Sequence, residues 1–234
     1  MTAASETTRD AATADALGTG WRIATFVGTV LVIIALAVLP LLTPWFIHAA
    51  LDASDASARL GLDRATTHAL SDRSVEALVL TGTFDFVGPS GDAFYDADEQ
   101  GHLVDARRLL WLFLGAGVVS LALIGLRFAR GGPAGRVVIG RTIGRAGLTT
   151  GIVVAVLGLV SLVAFGTLFT LFHQVFFPAG NWSFDPATQR LVQLYPFAFW
   201  QIAAAALAVL VLALAAAAWL LGRHMARRDR KTAP

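Results

Sequence analysis

The sequence predicts an all-α membrane protein with four transmembrane helices and a small extracytoplasmic cap between the first and second helices. Of the 234 residues, 56% are hydrophobic and only 15% are charged, a composition too apolar for an ordinary soluble domain. Four apolar stretches approach the roughly 20 residues that a helix needs to cross the hydrocarbon core. The chain has no cysteine, which excludes disulfides, thiolate metal sites and a cysteine nucleophile.

The four predicted spans cover residues 21–46, 109–128, 149–172 and 197–221. Pro40 and Pro44 are expected to end or kink the first helix near its far side, because proline disrupts the helical hydrogen-bond ladder. In the third span, glycines at positions 151, 158 and 166 are expected to allow close approach of a neighbouring helix.

The remaining segments complete the predicted organisation. Residues 1–20 lack a periodic apolar pattern, which predicts a disordered cytoplasmic tail. Residues 21–222 form the four-span membrane domain, with the cap at 47–106 and an aromatic loop at 173–196, and residues 223–234 form a basic cytoplasmic tail. Eleven acidic residues lie within positions 48–105, where we expect one or two short helices and a short strand or hairpin near residues 78–87.

The positive charges predict the orientation of the chain. Five arginines lie at positions 127–145 and a second basic group at positions 223–231, and excess Lys and Arg beside span ends marks the cytoplasm. Four spans then place both termini in the cytoplasm and the cap and aromatic loop outside. The same rule accounts for the arginines without a nucleic-acid partner.

Two histidines are the candidate catalytic residues. His102 lies seven residues before the second span, on an expected helical extension that also presents Asp105 at i+3, where it could orient the imidazole. His173 lies at the outer end of the third span. Two imidazoles at one depth can meet, and each can take and return a proton near neutral pH, as acyl transfer requires.

Simpler interpretations apply to each of these residues. A histidine near a span end is often only interfacial, and an aromatic loop is typical of a membrane boundary. His48 could be interfacial or join the site, His68 is expected on the cap surface, and Asp185 precedes a proline as a turn signal. A zinc site at His102, Asp105 and His173 is an alternative, but no HExxH pattern supports it, and spans so poor in ionisable residues disfavour an ion path.

Two segments carry a distinctive pattern. The first is FHQVFFPAGNW, followed by FDP, LVQLYP and FW, across residues 172–200, and the second is DEQGHLVDARRL before the second span. Both resemble segments of the bacterial lipoprotein intramolecular transacylases, a family of four-span membrane proteins with an outward cap, whose acid-rich segment ends in His-Met-x-Asp-Val. Two positions depart from the family pattern: Phe197 stands where a Glu usually follows the proline, and Leu103 stands where Met follows the histidine.

The resemblance implies an acyltransferase that moves the sn-2 acyl chain of a lipoprotein's diacylglyceryl group to the α-amino group of the same N-terminal cysteine, giving a lyso-form lipoprotein. The family's two required histidines correspond to His102 and His173. It implies a place in the bacterial cytoplasmic membrane with the active site at the outer face. The implied partners are a diacylglyceryl lipoprotein and membrane lipids, with no metal or cofactor.

The mechanistic hypothesis assigns supporting roles around the histidines. Asp105 would orient His102, and Asn181 would donate to the oxyanion. An acyl groove open to the bilayer would be lined by Phe176, Phe177, Trp182 and Tyr195, with Asp185 supporting the loop.

Two other functions stay open from the sequence. The chain could be a non-catalytic accessory or binding protein of the membrane, which the acidic cap and Phe197 favour. It could also be a lipid ester hydrolase that uses the same histidines, with water in place of the amine.

Overall fold

The computed structural model describes residues 2–80, 82–178 and 180–228, with side chains described between Gly18 and Arg227. The described residues form eight α-helices, one 3₁₀ turn (Leu39–Leu42) and a single isolated antiparallel bridge between Val87 and Ala93. The helices are α1 (Thr2–Val38), α2 (Pro44–Ala53), α3 (Ala56–Leu60), α4 (Arg64–Val79), α5 (Ala97–Arg130), α6 (Pro133–Phe176), α7 (Arg190–Leu194) and α8 (Phe197–Arg228). The predicted all-α fold is confirmed.

Four helices, α1, α5, α6 and α8, are long and apolar enough to cross a membrane, as predicted. The first span is bounded by its prolines: α1 ends at Val38, Pro40 lies in the 3₁₀ turn, and Pro44 begins α2. Proline is tolerated at the first helical position because the N–H it lacks has no intrahelical partner there. Helix α6 is interrupted by non-helical backbone angles at Ala164.

The described backbone of the N-terminal segment differs from its prediction. A disordered segment was expected over residues 1–20, but the described backbone is helical from Thr2. The segment is rich in alanine, which has the highest helix propensity of all residues, and it continues directly into the first span. At the other end α8 continues to Arg228, and residues 229–234 of the predicted tail lie outside the described residues.

The chain divides into two compact units. The first unit comprises the residues up to Ala35, Gly115–Val153 and those from Val211 onward; the second comprises Leu36–Leu114 and Val154–Leu210.

In the first unit, glycines bring α6 and α8 together. A Cβ atom at Gly147 would lie 2.6 Å from the carbonyl oxygen of Ala215, and one at Gly222 would collide with the backbone of Gly140 and Gly144. Only glycine fits at these positions, because the obstructing atoms are backbone rather than flexible side chain.

These are not the glycines that the sequence had suggested for close approach. A Cβ atom at Gly158 would meet nothing within 4 Å, and those at Gly151 and Gly166 would make only ordinary contacts. The pattern of small residues along the third span was therefore misinterpreted, because hydropathy does not reveal which face of a helix meets its neighbour.

The second unit contains the cap, which has a hydrophobic core of its own. Helices α2, α3, α4 and α7 contribute to it together with the first turns of α5 and α8. Its largest buried side chains include Leu51, Tyr95 and Leu194. The hairpin expected near residues 78–87 is instead the end of α4, followed by irregular chain and the Val87–Ala93 bridge.

A buried carboxylate joins α5 to α7 within this unit. The side chain of Asp96 accepts from the backbone N–H of Glu99 (2.8 Å), and Glu99 accepts in return from the N–H of Asp96 (2.7 Å). This reciprocal pair is a capping box. The second oxygen of Glu99 accepts from the N–H of Leu191 (2.6 Å) at the start of α7, and Glu99 is almost fully buried.

The α6–α8 contact gives a stability prediction. We expect Gly147→Ala to lower the unfolding temperature of the detergent-solubilised protein, since the added methyl group forces backbones apart at a cost of about 1–3 kcal/mol. Gly158→Ala is the matched control on the same helix and should leave that temperature unchanged or raise it. Equal unfolding temperatures for the two variants would contradict the tight contact.

The Glu99 contacts give a second prediction. Glu99→Gln places an amide NH₂ against one of two backbone N–H donors, and we expect a loss of roughly 1–3 kcal/mol in the free energy of unfolding. Asp98→Asn, an exposed carboxylate one residue earlier, should change it by less than about 0.5 kcal/mol. Thermal unfolding monitored by circular dichroism compares the two variants, and a Glu99→Gln protein as stable as the control would refute this role.

Candidate active site

The second unit brings His102 and His173 together. His102 lies in the second turn of α5, because that helix begins at Ala97 rather than at the membrane boundary, and His173 lies in the last turn of α6. The two ring centroids are 5.9 Å apart with their planes inclined by 26°. Residues from two different helices thus form one pair of imidazoles.

His173 is held by the helix that carries it. Its Nδ1 lies 2.7 Å from the carbonyl oxygen of Phe169, one turn earlier. A carbonyl oxygen can only accept, so in the neutral ring Nδ1 carries the proton and Nε2 holds the free lone pair. The His173 ring contacts those of Phe169 (4.2 Å between centroids) and Trp182 (5.1 Å).

His102 is surrounded by aromatic side chains from the loop. Its centroid is 4.5 Å from that of Phe177 and 5.5 Å from that of Phe184. The Phe177 ring also lies 5.5 Å from His173, so one phenyl group contacts both imidazoles. Nδ1 of His102 is buried and has no hydrogen-bond partner among the described residues.

The described hydrogen bonds of Asp105 do not include His102, the imidazole that the sequence had suggested it would orient. Its carboxylate accepts instead from the amide nitrogen of Asn181 (3.2 Å) and from the guanidinium of Arg108 (3.2 Å). Helical spacing puts Asp105 near His102, but the loop brings a better donor to the carboxylate. Asn181 packs over Gly101, where a Cβ atom would lie 3.8 Å from the amide nitrogen.

Three of the remaining candidate residues lie elsewhere in the second unit. Tyr195 is buried in the cap core, where its hydroxyl bonds to that of Ser71 (2.9 Å) and burial raises its pKa to about 12. Asp185 shapes the loop: its carboxylate accepts from the N–H of Ala187 (2.9 Å). Phe176 is 48% exposed and packs its ring at an inclined angle against Phe172 (4.9 Å between centroids). None of their described contacts involves either histidine.

The other cap histidines form a separate pair. The rings of His48 and His68 stack with centroids 4.0 Å apart. His48 bonds to Asp72 (2.8 Å) and His68 to Asp52 (2.9 Å). Burial alone would raise the pKa of the Asp52 carboxyl, but the hydrogen bonds from His68 and Arg64 outweigh it and the pKa is lowered.

A polar cavity of about 400 Å³ shares the lining residue Phe184 with the aromatic contacts of His102. Its lining residues come from the start of α5 and from the loop after α6: Asp98, Gly180, Asn181, Ser183, Phe184 and Gln189. Asn181, which also lines this cavity, packs over Gly101, the residue before His102. The described part of the chain holds no group of three or more histidine and carboxylate side chains arranged for a metal ion.

Two residues of the site, Phe169 and Phe184, were not predicted from the sequence. Phe169 supplies the carbonyl for His173, and its i−4 position was a readable signal. For Phe184, the only signal in the sequence was its position in an aromatic loop. Phe197, at the position where the family resemblance suggests Glu, packs its ring against Phe165 (5.1 Å) and Phe169 (5.8 Å).

A family model and solved structures both relate this chain to the lipoprotein intramolecular transacylases. The family model described as lipoprotein intramolecular transacylase Lit matches residues 23–200. Among curated proteins, no sequence matches this chain.

The fold is similar to solved structures of one membrane protein. The membrane integral lipoprotein intramolecular transacylase Lit from Bacillus cereus superposes with a TM-score of 0.73 at 18% identity, over 90% of this chain and 96% of that one. Variants of that protein with a histidine replaced by Arg or by Ala give TM-scores of 0.69 (15% identity; 96% of this chain and 99% of that one) and 0.68 (16% identity; 95% and 100%). Because the family model covers most of the sequence, this chain belongs to the lipoprotein intramolecular transacylase family of membrane-integral transferases.

Proposed function

We propose that this protein transfers the sn-2 acyl chain of a diacylglyceryl-cysteine lipoprotein to the α-amino group of the same cysteine. The observation that carries the proposal is the pairing of His102 with His173 inside an aromatic enclosure, in a chain of this family. The product is an N-acylated lipoprotein with a lyso-glyceryl group. Amine and ester belong to one substrate molecule, so no cofactor and no second acyl donor is required.

The proposed location is the bacterial cytoplasmic membrane with the active site at its outer face. The arginines of the α5–α6 connection and of the α8 terminus mark the cytoplasmic side. The termini of the chain then lie in the cytoplasm. This orientation places the histidine pair where a lipoprotein presents its N-terminus after export.

The two histidines are proposed to hold complementary tautomers. His173 keeps its proton on Nδ1, bonded to Phe169, and offers a basic Nε2. For His102, a proton on Nδ1 would be a buried donor without an acceptor, which is costly. Its proton therefore belongs on Nε2, and His102 offers a hydrogen-bond donor.

The reaction then balances with a single travelling proton. The amine nitrogen attacks the ester carbonyl carbon, and His102 donates a hydrogen bond to the oxyanion that forms. His173 accepts the proton released by the amine. When the bond between the carbonyl carbon and the glyceryl oxygen breaks, His173 returns that proton to the leaving oxygen, and both imidazoles regain their starting state.

The lipid part and the peptide part of the proposed substrate each have a suitable surface near the histidine pair: one surface is apolar and the other is polar. Phe172, Val175 and Phe176 near the end of α6 are exposed apolar residues, suited to contact with lipid acyl chains. The polar cavity beside Asn181 is proposed to receive the peptide that follows the lipidated cysteine, since its side chains can bond to backbone groups. Tyr195, which is buried in the cap core, is not assigned to the acyl path.

Alanine substitutions of the two histidines test the function. We expect His102→Ala and His173→Ala each to lower acyl transfer at least 100-fold, the usual contribution of acid–base catalysis. His48→Ala and His68→Ala serve as controls, because those two histidines bond to Asp72 and Asp52 and not to the proposed catalytic pair. A reporter lipoprotein is co-expressed in a host without N-acylation, and its N-terminal lipopeptide is fragmented by tandem mass spectrometry.

Fragmentation is essential in this test because intramolecular transfer leaves the mass of the lipopeptide unchanged. An N-acyl fragment with a lyso-glyceryl thioether identifies transfer. Loss of one acyl chain with a free amine would identify a hydrolase instead. An unmodified diacylglyceryl cysteine despite good expression would favour the binding-protein alternative, and equal activity of the His173→Ala and His48→Ala variants would refute the assignment.

A swap of two residues tests Asp105 as a positioning residue that acts through Asn181. We expect Asn181→Asp to lower transfer roughly tenfold or more, because two carboxylates would then face each other. The double variant Asp105→Asn/Asn181→Asp restores one amide–carboxylate bond and should recover most of the loss. Arg108→Gln, which removes only an exposed ion pair with Asp105, should have little effect. Failure of the folded double variant to recover would show that the bond between these residues is not what matters.

A further inference from the structure

We propose that a groove between α6 and α8 in the first unit binds the phosphate headgroup of an anionic phospholipid. The groove has a volume of about 210 Å³. Its lining residues are Arg141, Gly144, Arg145, Leu148, Trp219, Gly222, Arg223 and Ala226. It is independent of the histidine pair, and nothing in the proposed catalytic function requires it.

Three cations meet at this groove from two helices. Arg141 and Arg145 are one turn apart on α6, so their side chains emerge from the same helix face. Arg223 comes from α8, where its guanidinium lies 4.7 Å from the centre of the Trp219 ring. All three side chains are exposed.

Within the part of the chain whose side chains are described, no carboxylate pairs with these arginines. The sequence has no Asp or Glu between Asp105 and Asp185, nor from there to Asp229. Among the described residues none of the three arginines takes part in an ion pair. A bare cluster of three like charges repels itself, and a bound anion relieves that repulsion.

The groove itself is a product of the glycine contact described above. Gly144 and Gly222 let the two backbones approach closely, so the arginines on either side extend over a shared depression rather than over separate surfaces. Basic pockets between transmembrane helices are known to recognise anionic lipid headgroups, and guanidinium groups match phosphate oxygens in pairs.

The apolar side of the groove favours a lipid over a free anion. Trp219 has a side chain that is enriched at membrane–water interfaces, because its indole ring is largely apolar and has a polar N–H at one edge. Leu148 and Ile152, one turn apart on α6, are 49% and 56% exposed and continue from the groove along the helix. An acyl chain has a surface to follow there, which inorganic phosphate cannot use.

Lipid titration of the purified full chain in mild detergent tests the proposal. Phosphatidylglycerol is compared with phosphatidylcholine and with inorganic phosphate, and binding is followed as a rise in unfolding temperature with ligand concentration. We expect phosphatidylglycerol to bind about tenfold or more tightly than phosphatidylcholine. Inorganic phosphate should stabilise the protein only at much higher concentrations. Stabilisation by phosphate that equals that by the lipid would overturn the lipid assignment.

Matched charge removals separate a site from diffuse attraction. Arg141→Gln/Arg145→Gln/Arg223→Gln should weaken phosphatidylglycerol binding about tenfold or more. The control Arg22→Gln/Arg130→Gln/Arg227→Gln removes the same charge from exposed arginines that do not line the groove, and should change affinity less than about threefold. Equal losses in both triple variants would overturn the proposal.

A filling variant keeps the test decisive if the first triple variant is poorly folded. Ala226→Phe leaves every arginine in place and occupies part of the groove. We expect it to reduce phosphatidylglycerol binding as the triple variant does, whereas attraction to a general basic surface would be unaffected. Unchanged lipid binding in a folded Ala226→Phe protein would refute the groove as the site.

Discussion

The geometry around the histidines depends on the hydrogen bonds that the buried carboxylate of Glu99 accepts. It accepts from two backbone N–H groups, one at the start of α5 and one at the start of α7, and so fixes where both helices begin. Asp96 adds a bond to Gln189 (2.9 Å) from the same turn. Because α5 begins here, one turn before His102, that imidazole is carried at a defined height beside the loop that follows α6. A buried backbone donor left without a partner would cost free energy, so the register of these elements is strongly held.

The sequence predicted the parts of the molecule that follow from hydropathy and helical spacing. Four spans, the helical extension that holds His102 and the place of His173 at the end of α6 all depend on local pattern. The bonds of Asp105 to Asn181 and of Tyr195 to Ser71 could not be predicted in this way, because each partner lies in a segment distant in the chain. The glycines at the α6–α8 contact could not be predicted for a related reason, because the contact depends on which face of α6 meets the other helix. The Asp96–Glu99 capping box was readable from its spacing, whereas the bond of Glu99 to Leu191 was not.

The aromatic enclosure gives the histidine pair its chemical character. Phe177 contacts both imidazoles, while Phe184 and Trp182 contact one each. Such rings exclude water from the reacting groups and strengthen every hydrogen bond made inside. In an intramolecular transfer the competing reaction is attack by water on the same ester. Excluding water therefore favours the tethered amine, whose effective concentration is already high.

The hydrogen-bond partners of the two imidazoles also bear on the choice between acyl transfer and hydrolysis. Neither histidine has a carboxylate among its described hydrogen-bond partners, because Asp105 is bonded to Asn181 and Arg108. In hydrolytic triads a buried carboxylate stabilises the imidazolium that forms when a poorly acidic hydroxyl is deprotonated. An α-amino group has a pKa of about 7.7–8.0, so at neutral pH part of it is already a free nucleophile. A neutral imidazole without carboxylate support is a sufficient base for that amine and a weak one for water. These contacts of His102 and His173 support the proposed acyl transfer over the alternative of ester hydrolysis.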